Sequence, residues 1–451
     1  MMISPDDQER VDAIEQALLA RWPETRIAPS TERIAALVDI LGSPQLTYPT
    51  IHIGGTNGKT TTSRMIDSLL FAHGLRTGRF TSPHLETYRE RIAINGEPID
   101  PKELIFSYND IAAYLDLMDT KFEHPISFFE AITALAFAAF AEHPVDVGVI
   151  EVGMGGEWDS TNVADGDVAV FTPISMDHAE RLGETIAEIA TTKSGIIKPG
   201  SFVISSKQPA EAMPVLQSKA GELAERFASY GAQFELIETA ATDMGQTFSV
   251  RTLAGEYHGI HLPVHGAYQA ENAALAIAAV EAFMGAGNQR IMDDIVRASL
   301  ADASSPGRLQ VLQRDPLVIL DAAHNPGGAE SLAQALATTF GKPYAIGVIG
   351  VLGDKDATGF LELLDDSLVE VVITQSDSPR AVPATELAET ARKVFGAERV
   401  HVAAHPLEAI ALAKTLLPGA PTKGAIVVTG SITLIGQVLK LQQQEVDADV
   451  E

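Results

Sequence analysis

The run "IHIGGTNGKTTTSRMI", Ile51 to Ile66, gathers three glycines, a lysine and several hydroxyls where a phosphate group could be held. Gly54, Gly55 and Gly58 allow the backbone to turn its N–H groups inward around phosphate oxygens. Thr56 and Asn57 complete the turn, Lys59 adds a cation, and the hydroxyl of Thr60 or Thr61 can reach a bound Mg2+. The spacing is one residue shorter than the common G-x-x-x-x-G-K-[ST] pattern. An ordinary glycine-rich turn would not require a lysine and threonines in those places. Hydrolysis for motion, transfer to an acceptor and activation of a carboxylate can all begin at such a loop.

Two further side chains suit a metal–phosphate centre. Glu151 ends the apolar run "VDVGVIEV", where a strand-end carboxylate can face Mg2+; the plain alternative is an acid capping a nearby turn. Ser82, at the end of "GRFTS", has a hydroxyl that could coordinate a second ion, or simply close a turn. In "MDH", Met176 to His178, the oxygen preference of Mg2+ favours Asp177.

The elements that must position these groups follow from pattern. "TIHI" reads as a strand entering the loop, and "TSRMIDSLLFAHG" as a helix ending at Gly74. "VDVGVIEVG" and "VAVFTPIS" are buried strands of the parallel type, so strands and helices alternate as in a doubly wound sheet. A second series, "PLVILDAAHNP", "YAIGVIGVLG", "VEVVITQ" and "GAIVVTG", with "GAESLAQALATTF" between, suffices for a smaller α/β domain. The Gly/Pro/Ser-rich "ADASSPGR" is the best boundary, giving domains 1–303 and 304–451. At the start, Ser4 before Pro5 caps a helix whose apolar face carries Val11, Ile14 and Leu18. The acidic tail "QQQEVDADVE" is expected to fray.

Composition excludes several classes. The 451 residues exceed one ordinary core, and the hydrophobic content of 46% is that of a globular protein. With no cysteine there is no disulfide, thiolate metal site or cysteine nucleophile. A net charge of −28 without a basic cluster argues against nucleic acid and anionic membranes as partners. The opening "MMISPDDQER" does not fit a signal peptide, and "AITALAFAAFA" is too short to span a bilayer. A cytoplasmic protein is expected.

Taken together, "GGTNGKTTT", "TSPHLETYRERIAINGEPI", "SFFEAITALAF", "EVGMGGEWDSTNV", "DHAERLGETIAEIATTKSGIIKPG", "HGAYQAENAALA", "PGRLQVL", "DAAHNP", "LGDKDA" and "VTGSITLIG" resemble the Mur-ligase superfamily, in its order. The folylpolyglutamate synthase/dihydrofolate synthase branch is the near match, from about Ser30 to Gly436. The resemblance implies a P-loop central domain with a doubly wound, mostly parallel sheet, and a smaller Rossmann-like C-terminal domain. It implies an ATP-dependent ligase, ADP-forming, in which a carboxylate is phosphorylated and the acyl phosphate is attacked by the α-amine of L-glutamate. The acceptor would be dihydropteroate, a reduced folate such as tetrahydrofolate, or both, and a bifunctional monomer is expected.

The resemblance also implies roles. His178 would be a metal ligand through its imidazole, against the oxygen argument for Asp177. Thr60, Ser82, Glu151 and His178 would hold two Mg2+ ions, and Lys59, Lys193 and His178 would act in catalysis. Lys193 matches a lysine that carries a CO2-derived carbamate (N6-carboxylysine); unmodified, it would contact phosphate. Thr192 and Ser194 flank it where Glu and Ala are usual. Asn272, Arg308, Asp321 and His324 would meet the rest of the ATP, and Arg308, just past Pro-Gly, suggests closure of one domain over the nucleotide. Ser127, Phe128, Phe129, Glu130, Trp158, Asp159 and Ser160 would meet the pterin, although an aromatic pair is more often core. Glu157 stands where Arg is frequent. Arg89, Arg91 and Arg380 are candidates for the glutamate carboxylates.

Two rivals remain. "GKTTT" is nearer the peptidoglycan-precursor ligases of the same superfamily, but "TSPHLETYRERI" and "LGSPQ" match the folate branch, and the loop begins only about fifty residues in, leaving no room before it for a large UDP-sugar domain. A P-loop switch or motor would have no use for "DAAHNP" and "PGR" in a second domain.

Overall fold

The structure is a computed structural model that describes residues 4–23, 29–417 and 424–450, with side chains described to residue 444. The first helix, Pro5–Leu19, starts where the Ser4 side chain accepts a bond from the Asp7 amide, and it buries Val11, Ile14 and Leu18.

The first sheet contains β1 (Thr50–Gly54), β2 (Thr77–Phe80), β3 (Ile92–Ile94), β4 (Glu97–Pro98), β5 (Val147–Glu151), β6 (Gly166–Phe171), β7 (Phe202–Ser205) and β8 (Arg226–Ser229). Their order is β4-β3-β2-β5-β1-β6-β7-β8, parallel from β2 to β8 with antiparallel β3 and β4 at one edge. Both "TIHIG" and "VGVIE" are buried along their whole length, as strands covered on two faces must be. β1 and β5 are neighbours in register Ile53↔Glu151, which sets the Glu151 carboxylate level with the mouth of the glycine loop. The helix Lys59–Ala72 leaves that loop and packs on the Ala-rich helix Ala267–Gly285, which is buried nearly all round and shows no polar stripe.

A second sheet was not legible in the sequence. Strands β9 (Glu235–Thr242), β10 (Gly245–Arg251) and β11 (Glu256–Leu262) form an antiparallel meander in the order β11-β10-β9. It is anchored by Glu281, buried in the Ala-rich helix, which accepts from the Thr252 hydroxyl, the Tyr257 hydroxyl and the Ala254 amide. The third sheet holds β12 (Gln310–Arg314), β13 (Leu317–Asp321), β14 (Tyr344–Ile349), β15 (Glu370–Ile373), β16 (Val400–Val402) and β17 (Gly424–Thr429). Its order is β12-β13-β17-β14-β15-β16, parallel except for the β12–β13 hairpin. The segment between the helix Asp293–Ala301 and β12 carries the chain from the first set of layers to this one.

The acidic tail, expected to fray, is helical in the structure: the helix Ile432–Val450 runs through it. Buried Leu434, Ile435, Val438 and Leu439 anchor that helix against the third sheet, and the polar turns continue from this seeded end. Among the described residues no helix is long and apolar enough to cross a membrane.

Candidate active site

The glycine loop closes on the end of β6. The Thr56 and Asn57 amides donate to the Pro173 carbonyl, and Thr56 Oγ1 accepts from the Ser175 amide at 3.0 Å. Gly55 has φ +136 and a Cβ there would run into Thr172 Oγ1; Gly58 has φ +88 and a Cβ there would lie 2.8 Å from Asn272 Oδ1. Both positions therefore require glycine, and Asn272 is brought directly beneath the loop. Lys59 Nζ donates back to the Gly55 and Thr56 carbonyls at 3.3 and 3.1 Å, curled inside the turn that its head group would leave to meet an anion. Thr61 Oγ1 lies 2.8 Å from Ser305 Oγ, a first link toward the third sheet.

Thr60 Oγ1 donates to Glu151 Oε1 at 2.9 Å. The other carboxylate oxygen, Oε2, is buried without a hydrogen-bond partner. Burial pushes the Glu151 carboxyl up to about 7, against the opposing pull of Lys59, Thr60 and the Ser82 backbone. An orphaned carboxylate oxygen beside two hydroxyl residues is the donor set a hard cation takes, so the residues present fit Mg2+. Among the described residues no cluster of three or more His, Asp or Glu forms a ready-made metal cage. A cation here would therefore take part of its ligand shell from substrate or water.

A second cluster joins the sheets. Lys355 Nζ donates to Asp177 Oδ1 at 3.0 Å and meets His178 Nε2 at 3.2 Å. Asn325 Nδ2 reaches Asp177 Oδ2 at 3.0 Å and Asn57 Oδ1 at 3.4 Å. His324 Nε2 lies 3.9 Å from Asp177 Oδ2. Asp177 thus binds cations and amides of the third sheet's loops. Against the upward push of burial, Lys355 and then the two histidines hold its carboxyl well below the usual range. His178 has left-handed backbone, φ +52, and burial followed by Lys355 lowers its imidazole to about 4. Neutral at pH 7, it keeps a lone pair for a metal. Burial likewise lowers His324 to about 4, with Nδ1 against the Ala322 carbonyl.

Lys193, at the end of the helix Ile186–Lys193, is buried and donates from Nζ to the Gly55 carbonyl at 2.8 Å. Desolvation, then Lys59, lowers its amine to about 7. Asp321 ends β13; its two oxygens accept from the Leu309 and Ala323 amides, and Arg308, beside it, opposes the upward push of burial on its carboxyl.

The pterin set divides. Ser127 and Glu130 form a capping box on the helix Phe128–Glu142, with Arg33 paired to Glu130 at 3.0 Å. Phe128 is buried in the core with the Arg91 guanidinium over its ring at 4.9 Å. Phe129 instead turns toward the strand-end loop, where its ring presses on Gly153. Trp158 packs on Gly155 in the same loop. Asp159 accepts from the Met154 and Thr161 amides and from the Thr161 hydroxyl, and Ser160 is buried behind it. Of the three arginines considered for glutamate, Arg89 donates to the Ile99 carbonyl, Arg91 to His84 Nδ1, and Arg380 to Asp354. Lys355 and Asn325 lie in "LGDKDA" and "DAAHNP", motifs that mark the region in sequence without indicating either side chain.

The chain matches the Mur ligase middle domain over residues 53–280 and the Mur ligase glutamate ligase domain over 307–432. It belongs to the Mur ligase family. A dihydrofolate synthase/folylpolyglutamate synthase of Mycobacterium tuberculosis is 44% identical, over 96% of this chain and 94% of that protein. The Mycobacterium tuberculosis folylpolyglutamate synthase complexed with ADP superposes with a TM-score of 0.92 at 43% identity, covering 96% of this chain and 98% of that one. E. coli FolC in complex with DHPP and ADP gives 0.83 at 28% identity, with 98% of each chain covered. Within the family, the chain groups with the dihydrofolate synthases/folylpolyglutamate synthases, and the peptidoglycan-precursor alternative is not favoured.

Proposed function

We propose that the protein is an ATP-dependent ligase that adds L-glutamate to dihydropteroate, to reduced folates, or to both. The observation that carries the reading is the meeting of the two sets of layers at the glycine loop. Asn325 bridges Asn57 to Asp177, and Lys355 reaches Asp177 and His178. A nucleotide switch has no need of that second surface; a ligase that must enclose ATP, acceptor and amine does. The relatives support the glutamate and folate assignment.

Loop amides from Gly55 to Thr61 and the Lys59 ammonium take the ATP phosphates, while Asn272, Arg308, Asp321 and His324 take the rest of the nucleotide. Thr60, Ser82, Glu151 and His178 would hold two Mg2+ ions, with Thr60 and Glu151 on the first and the Ser82 hydroxyl toward the second. When bound, Mg2+ neutralises charge between phosphate and carboxylate. An oxygen of the acceptor carboxylate attacks the γ-phosphorus, the bond to the bridging oxygen breaks, and ADP departs. The neutral α-amine of glutamate then attacks the acyl carbon; phosphate leaves and the amine loses its proton. Lys59 stabilises the charge that develops on the transferred phosphoryl group. Phe129 and Trp158 offer the pterin flat walls, and Asp159 an acceptor for its amino groups; Ser127, Phe128, Glu130 and Ser160 support that wall from behind.

Lys193 is read as the carbamate-bearing lysine. CO2 adds only to a neutral amine, and an amine lowered to about 7 offers one at physiological pH. Residues 1–303 and 304–451 are taken as the two domains, in keeping with the separate sheets on either side of that point. The protein is taken to work as a monomer in the cytoplasm. The reading is tested by omission: ADP release must require L-glutamate and a pteroate or folate acceptor, and Lys59→Ala must abolish it. Full ATP turnover without an acceptor would sink the ligase reading.

A further inference from the structure

Thr60 and Arg64 stand one turn apart on the helix Lys59–Ala72, so their side chains leave the same face. Arg64 is half-buried, and its open side lines a cleft between the two sets of layers. Thr60, Thr61 and Pro83 form one wall of that cleft, and Ser305, Arg308 and Ile432 the other. Among the described residues Arg64 makes no hydrogen bond and no ion pair. The acids whose field reaches it are all committed elsewhere. Asp67 is bound to Arg79 at 2.8 Å, Glu151 to Thr60, and Glu90 accepts from the Leu85, Glu86 and Thr87 amides. Burial and the like charge of Arg79 lower the Arg64 guanidinium to about 10.

A guanidinium fork enclosed without a counter-ion is costly unless an anion completes it. The nucleotide's phosphates are already met by the amides from Gly55 to Thr61 and by Lys59, and Arg64 lies a full turn further along the helix, beyond Thr60. The ligase reading, on which this inference rests, brings two other anions to the γ-phosphate position: the acceptor carboxylate and the incoming amino acid, with two carboxylates. The acceptor carboxylate must stay free to attack phosphorus, and a bidentate charge-assisted fork would blunt it as a nucleophile, which leaves Arg64 to a carboxylate of the amino acid that does not react. The three arginines that sequence offered for this task are engaged with Ile99, His84 and Asp354.

We propose that Arg64 receives a carboxylate of the incoming L-glutamate in the cleft between the loop helix and the Ser305–Arg308 segment. The test uses the full chain with Arg64→Gln and Arg64→Lys, and Michaelis constants measured separately for L-glutamate, ATP and acceptor. With Gln the KM for L-glutamate should rise about tenfold or more, because the charge-assisted fork is lost. Lys keeps the charge without the fork and should fall between. The constants for ATP and acceptor should stay within about twofold of wild type. An unchanged KM for glutamate overturns the proposal. So does a rise confined to ATP, which would make Arg64 a phosphate contact, or to the acceptor, which would assign it to the acceptor's own carboxylate. Should the variants fold poorly, modification of wild-type Arg64 by phenylglyoxal, mapped by mass spectrometry, decides the matter. L-glutamate should slow it in the presence of the acceptor and a non-hydrolysable ATP analogue, and an unaffected rate overturns the proposal. Failure of the ligase reading would register separately, as wild-type enzyme that forms no glutamylated product, and would remove the proposal with it.

Discussion

Glu151 concentrates the site's electrostatic cost in one group. Its carboxyl is raised from 4.5 to about 7 by burial, so ionising it works against the folded state, by about 3 kcal/mol at full ionisation. At low pH, below its unfolded value, it is protonated in both states and costs nothing; as pH rises through about 7 the cost appears in full. Glu151→Gln should therefore raise the melting temperature of the ligand-free protein by a few degrees at alkaline pH, and leave it unchanged in acid. The same variant should lose about a hundredfold or more in kcat. Thermal melts across pH, set beside turnover, check both halves; a variant that melts lower at every pH would contradict this account of the buried oxygen. Lys193 carries the opposite sign. Its amine is protonated below about 7, so at limiting bicarbonate the stimulation by added bicarbonate should steepen as pH falls through that value. Intact mass with and without bicarbonate should show the matching gain of one CO2, and activity indifferent to bicarbonate at every pH would refute the carbamate.

Among elements, the glycine loop and the helix Phe128–Glu142 separate what sequence could disclose from what it could not. Gly55 and Gly58 were legible because a phosphate loop demands positive φ, and the structure adds why each Cβ is forbidden: Thr172 at one, Asn272 at the other. Gly58→Ala should weaken ATP binding by about tenfold, measured by calorimetry, because the strained backbone and the displaced Asn272 act together. The residues Ser127 to Glu130 were legible as a motif, but their division of labour was not. Capping is a backbone matter, and only coordinates reveal that Ser127 and Glu130 spend their bonds on it while Phe129 alone turns to the strand-end loop. Ser127→Ala should cost about 1 kcal/mol of stability with a modest change in KM for the acceptor. A large rise in that KM at unchanged stability would return Ser127 to direct contact with substrate. The β9–β11 meander escaped sequence reading because its strands are largely polar and are held by one buried glutamate from a distant helix, neither of which leaves a clean local period.

For the whole molecule, the fold class was legible from the alternation of strands and helices, and the contacts that join the two sets of layers were not. Lys355 sits in a motif that drew notice, yet its partners Asp177 and His178 lie far away in the chain, and no spacing rule joins them. Removing it should leave Asp177 underpaired and loosen the approach of the third sheet to the loop. Lys355→Ala is expected to raise the KM for ATP and to enlarge the radius of gyration of the ATP-bound protein in small-angle scattering; an unchanged radius would mean that the contact does not hold the closed form. The same scale decides function, since the loop alone is compatible with any phosphate chemistry and only its enclosure by the third sheet's loops favours a ligase.

The measurement that bears most directly on that claim is mass analysis of the products formed from Mg-ATP and L-glutamate, with 7,8-dihydropteroate in one reaction and tetrahydrofolate in the other. The account expects a product heavier by one glutamyl unit in at least one reaction, formed in step with ADP and phosphate. Folded protein that binds ATP but glutamylates neither acceptor would contradict it.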